Sequence, residues 1–158
     1  MNRPPISFAG DRPLPRRRGD WAGIGRMAAQ LLDQREKGYP AAIEAKKLTP
    51  DDAERGLRIM RAIVALWRMA LEPRDLPQPA DYRDAFGATW EEMRDDAMRV
   101  AGGAWQRARR DPEDADLAAQ AELAEALAWQ HRDVCGSAGP HVWLAHDYEQ
   151  WERRRSAS

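Results

Sequence analysis

Residues 39–71, YPAAIEAKKLTPDDAERGLRIMRAIVALWRMAL, constrain the fold more than any other stretch, because they spell a helical turn, a tight corner and a long amphipathic helix. Thr49 suits an N-cap, Pro50 suits the first helical position, and Asp51 and Asp52 place negative charge on the first-turn amides. From there Ala53, Leu57, Met60, Ile63 or Val64, Trp67 and Leu71 return every three or four residues, which draws one apolar stripe along the helix. This is an architectural signal, and it carries no catalytic chemistry.

Composition extends the helical reading to the whole chain. Ile, Val and Thr together number only 11 among 158 residues, too few to furnish half-buried strands, whereas alanine alone numbers 28. The expected class is all-α, with about five helices in an irregular helical bundle. Asp20 caps a first helix to about Lys37, with Gly38 as its stop and a short helical turn over 39–46. After the helix over 50–71, three prolines in the segment 72–81 break the chain and mark the best candidate boundary within a single helical domain over 20–158. Thr89 and Glu92 form a capping-box pattern ahead of Trp90, Met93, Ala97, Val100, Ala101 and Trp105. Asp111 and Pro112 predict an alanine-rich helix to about Val134, and a last helix runs from about His141 to Arg155.

Charge is spread unevenly although the formal total is only −1. Residues 1–20 carry five Arg against two Asp, and 111–133 carry seven acids against Arg132 alone. The first 19 residues, rich in Arg and Pro and poor in apolar side chains, read as a flexible basic arm. An overall pI near 6.3 does not mark a dedicated nucleic-acid binder, yet Arg16, Arg17 and Arg18 are the residues to contact nucleic acid or a partner if one is bound. A helix-turn-helix reading of the corner before Pro50 fails on charge, since Asp51, Asp52 and Glu54 would face phosphates. The lone Cys135 cannot close an internal disulfide, and no stretch resembles a signal peptide or reaches the length of a membrane span, so the expectation is a soluble, cytoplasmic protein.

One cluster could carry metal chemistry. His131, Cys135, His141 and His146 gather all the histidine and cysteine of the chain, and the first two stand four apart on a helix, a spacing that suits two ligands of one zinc ion. The competing reading is a core cysteine with packing and surface histidines. No serine sits in a nucleophile elbow, and the glycine pairs lack the lysine and strand of a phosphate loop. The acid pairs Glu91–Glu92 and Asp95–Asp96 read as solvated ion-pair partners for nearby arginines. Trp143 and Trp151, near the basic run Arg153 to Arg155, suit a partner surface, and residual apolar area would also serve a homo-oligomer.

At Tyr39-Pro40, Leu48-Thr49, Asp52-Ala53 and Ile59-Met60 with Ala62-Ile63, the sequence resembles a motif of small helical proteins encoded by bacteriophages and prophages. The likeness spans 33 of 158 residues, and the usual glycine of the corner is replaced by Lys46 or Lys47. It implies a phage-borne or horizontally carried accessory protein, and it transfers no catalytic residue. The resulting expectation is a non-enzymatic interaction protein that binds a host or phage protein.

Overall fold

The computed structural model describes Phe8 and residues 13–71, 77–133 and 140–157, with side chains of the last span described at 148 and from 150 onward. Among these residues there are six α-helices and no strand: α1 (Trp21–Glu44), α2 (Pro50–Ala70), α3 (Tyr82–Phe86), α4 (Trp90–Arg110), α5 (Ala115–Gln130) and α6 (Pro140–Ala157). No helix among them is long and apolar enough to cross a membrane.

The largest departure from the sequence reading is at α1, which runs unbroken through Gly38 and Pro40 to Glu44. Pro40 removes one backbone donor from an exposed stretch where water can satisfy the freed carbonyl. Side chains then hold the far end of the helix in place. Arg35 donates to the Gly56 carbonyl of α2 at 2.7 Å and forks onto Asp96 of α4, and the Tyr39 hydroxyl stands where a Cβ on Gly56 would fall. The corner that follows closes as a Schellman motif, with Lys47 N–H bonded to Ala42 O and Lys46 N–H to Ile43 O, both near 3.0 Å. Lys46 adopts φ +58°, so this lysine fills the left-handed position that usually selects glycine.

Local start signals act as the sequence suggests in α2 and α4. Thr49 Oγ1 accepts from Asp52 N–H at 3.1 Å, and Thr89 and Glu92 close a full capping box. At α5 the cap is Asp114 rather than Asp111, because its carboxylate reaches the amides of both Asp116 and Leu117; Asp111 instead ends α4. The helix therefore begins later than expected and ends at Gln130 rather than Val134. α3 is an element the sequence reading missed. It is five residues long, places Tyr82 fully in the core and stops at Gly87 with φ +100°.

The core lies around α2, which contributes Met60, Ile63, Leu66 and Trp67 at 1 % exposure or less. Its buried face is broader than one stripe because α1, α4 and α6 all pack against it. The most extensive pairing joins α4 to α5, and both helices bury stripes of alanine: Ala97, Ala101, Ala104 and Ala108 on one, Ala121, Ala124 and Ala128 on the other. Small side chains at spacings of three and four let the two helix backbones approach closely.

Two ion pairs tie these layers together. Arg35 and Asp96, with side chains 15 % and 11 % exposed, link α1 to α4, and Arg58 forks onto Glu92 while donating to Gly87 O, linking α2 to the α3–α4 junction. Asp96 and Glu92 are thus partly buried interhelical partners rather than members of solvated surface pairs. The Arg58 guanidinium beside Glu92 holds its carboxyl down at about 2.

Candidate interaction face

α6 lays its last turns across the start of α1 and the end of α2. Arg153 donates to the carbonyl of Leu71 at 2.8 Å, which fixes the helix end, and the Trp21 ring meets Tyr148 edge-on at 5.2 Å and 75°. Tyr148 in turn packs on Trp151 at 5.7 Å, and the Arg155 guanidinium stands 4.9 Å above the Trp151 ring. Positions 148, 151 and 155 share one side of α6 by helical spacing, so the aromatics and the arginine form one continuous strip. Tyr148 and Trp151 are 51 % and 47 % exposed, unusual for large rings that already touch neighbours. The side chain of Trp143, the other aromatic candidate, lies outside the described residues.

The basic arm is held at its inner end. Pro15 is buried, Arg16 and Arg17 both approach Glu122 of α5, at 3.3 and 3.9 Å, and Gln130 Nε2 donates to Arg18 O at 2.8 Å. Residues 16–19 form a turn against α5, so this part of the segment expected to be a flexible arm has an ordered seat supplied by the acidic helix. Arg16, Arg17 and Arg18 nevertheless remain exposed. Between Leu14, Arg16, Trp105, Arg109 and Glu122 lies a cleft of about 380 Å³, floored by Glu125, whose carboxylate accepts from Trp105 Nε1 at 3.1 Å. Its lining charges balance, two arginines against two glutamates. That suits neither a polyanion nor a polycation.

The His and Cys cluster divides in the structure. Cys135 and the side chains of His141 and His146 lie outside the described residues, whereas His131 caps the end of α5 with no exposed surface. Trp67 Nε1 donates to His131 Nε2 at 3.0 Å, and the imidazole stacks on Trp90 with centroids 4.7 Å apart and planes 24° apart. Accepting that bond assigns the proton to Nδ1, which has no hydrogen-bond partner among the described residues. Burial pushes the His131 imidazole down to about 3, so it is neutral throughout the physiological range. A metal at Nε2 would have to displace the Trp67 indole. Among the described residues no three His, Cys, Asp or Glu side chains stand close enough together to hold a metal ion.

The sequence reading placed Trp67 on the apolar stripe of α2 and weighed His131 as a zinc ligand against a packing histidine, and it missed that they are partners 64 positions apart. Helical periodicity reports which face is buried, but it carries no signal for which polar tip meets which across a core. The same blindness hid the contact of Trp21 with Tyr148.

Fold and surface together define a class, an all-α bundle that exposes an aromatic and arginine strip where its final helix crosses the first. Comparison with known proteins does not narrow it further: no family model, no curated protein and no solved structure matches the chain.

Proposed function

We propose that this chain is a non-enzymatic interaction protein, an accessory protein of phage or prophage type, that docks a host or phage protein through Trp21, Tyr148 and Trp151. The observation that carries this reading is the half-exposed Tyr148–Trp151 pair, buttressed by Trp21 and overlaid by Arg155. Energetic centres of protein interfaces are enriched in Trp, Tyr and Arg, and here neighbouring contacts restrain the rings before a partner arrives. The phage assignment is supported by the likeness of residues 39–71 to small phage-encoded helical proteins.

The test compares two baits in host lysate, the wild-type chain and a Tyr148→Ala, Trp151→Ala double variant. Proteins held by the first and lost by the second are the expected result. Capture that is identical for both baits, or absent at every salt concentration, would refute the docking role.

Nucleic-acid association through the arm is the second reading. Its favouring observation is that Arg16 and Arg17 keep more than half of their side-chain surface in solvent although both pair with Glu122 and Arg17 also pairs with Asp20. Binding by this route falls steeply with salt and is lost when Arg16, Arg17 and Arg18 are replaced by alanine.

A further inference from the structure

The aromatic strip has a cationic rim. Arg154 is exposed beside Arg153 and Arg155 on the last turns of α6, and Arg68 lies one turn before Leu71, the residue whose carbonyl receives Arg153. Among the described acids, Glu152 on the last turns of α6 and Asp20 just ahead of Trp21 are already engaged. Glu152 pairs with Arg155 at 3.7 Å, and Asp20 caps Gly23 N–H while pairing with Arg17 at 3.6 Å. Pairs this exposed contribute little and exchange partners readily. The surface therefore suits a ligand that brings carboxylates together with a group that can lie flat on an indole.

The α4–α5 corner of the same chain has that composition. Residues 111–116, DPEDAD, carry four acids and no cation, and all but Asp114 are exposed. Pro112 stands at the tip as an apolar ring without an N–H to desolvate, the feature that aromatic-lined grooves exploit in proline-bearing ligands. Arg109 and Arg110 precede the corner, on the last turn of α4.

The corner cannot reach the strip of its own chain. Gln130, at the far end of α5, holds Arg18 just ahead of Trp21, and the helix between Ala115 and Gln130 puts the corner about 22 Å from that point at 1.5 Å per residue. The contact must therefore be made between copies.

We propose that the Trp21–Tyr148–Trp151 strip and its arginine rim receive the Asp111–Asp116 corner of a second copy of the chain, head to tail. This rests on the docking role assigned to the strip above and names its occupant. A heterologous contact of this kind leaves one strip and one corner open on every dimer, so growth continues until a ring closes or the supply of chain is exhausted.

The experiment is sedimentation velocity with light scattering on the full chain, over a concentration series at low and high salt. Two variants accompany the wild type: Arg154→Ala with Arg155→Ala in the rim, sparing the Arg153 bond to Leu71, and Asp111→Asn with Glu113→Gln in the corner. Matching circular dichroism and unfolding midpoints establish that both variants fold. The wild type is expected to rise to at least twice the mass of one chain with concentration and to return to one chain at high salt. Each variant alone is expected to remain a single chain, and an equimolar mixture to give a two-chain complex and nothing larger, since only one complementary contact survives.

A wild type that stays a single chain at all concentrations, or association that survives in either variant, overturns the proposal. If the Tyr148→Ala, Trp151→Ala bait still loses its lysate partners in those circumstances, the docking role of the strip stands and only its occupant was misassigned. Should that bait behave as wild type as well, both readings fall together.

Discussion

Lowering the pH from 7 to 5 is expected to destabilise the protein by about 2 kcal/mol, and one residue accounts for most of the loss. His131 sits neutral in the core with its imidazole pushed down to about 3, against an ordinary value of 6.5. A buried base of this kind binds its proton only after unfolding, so stability is complete above pH 6.5 and is lost progressively as the pH falls toward 3. Within that window the slope approaches 1.4 kcal/mol per pH unit, and integrating one proton from pH 7 to 5 gives about 2 kcal/mol. Urea unfolding followed by circular dichroism at several pH values measures it directly. The His131→Gln variant keeps an acceptor within reach of Trp67 Nε1 but has nothing to protonate, so its stability is expected to be nearly flat between pH 7 and 5. Equal slopes for wild type and variant would refute the reasoning, as would an NMR titration that places His131 near 6.5 in the folded chain.

Other expectations follow from the ion pairs and the corner. Glu92, depressed to about 2 by Arg58, contributes stability that is present above its ordinary value of 4.5 and is lost as the pH falls through 2; Glu92→Gln should abolish that acid limb, whose upper part overlaps the histidine window. Asp96→Ala strands the mostly buried Arg35 guanidinium and should cost about 3 kcal/mol in chemical denaturation, whereas the double change Arg35→Met, Asp96→Leu should recover most of it, because two apolar groups leave no uncompensated charge. Lys46→Gly relieves a left-handed lysine and should stabilise by about 1 kcal/mol, seen as a rise in melting temperature; an unchanged melt would show that the corner carries no strain. Dialysis against a chelator should leave the melting temperature unmoved, and one equivalent of zinc on the purified, untagged chain that is released by Cys135→Ser would overturn the assignment of His131 Nε2 to Trp67.

Helix class and several helix starts were legible because they depend on neighbours in sequence. Thr49, Pro50, Thr89 and Glu92 need only their own first turn to act, and alanine excess against scarce β-branched residues is a property of the whole chain. The stop expected at Gly38 failed because distant groups, Gly56 and Asp96, hold the end of α1 through Arg35 and Tyr39. Asp111 ahead of Pro112 reads as the cap, but the backbone of the corner presents its free amides to the carboxylate of Asp114 instead. The candidate face was half visible: Trp151 and its arginines were singled out, while the contact of Tyr148 with Trp21 emerged only when α6 met the start of α1. His131 was weighed as a zinc ligand against a packing histidine, and periodicity can place it on a helix but cannot show that an indole from another helix donates to its nitrogen.

The end of α5 also bears on the order in which the chain assembles. Adjacent residues there reach in two directions, Gln130 to the backbone of Arg18 and His131 to the indole of Trp67. The α1–α2 and α4–α5 hairpins close over short corners and can form from local contacts within the earliest folding events. By contrast, the bonds at 130 and 131 span 112 and 64 positions, so each must wait for a large loop to close. The last turn of α5 is thus where the two hairpins are joined to each other and to the turn ahead of α1, through contacts whose loop-closure cost exceeds that of either hairpin corner.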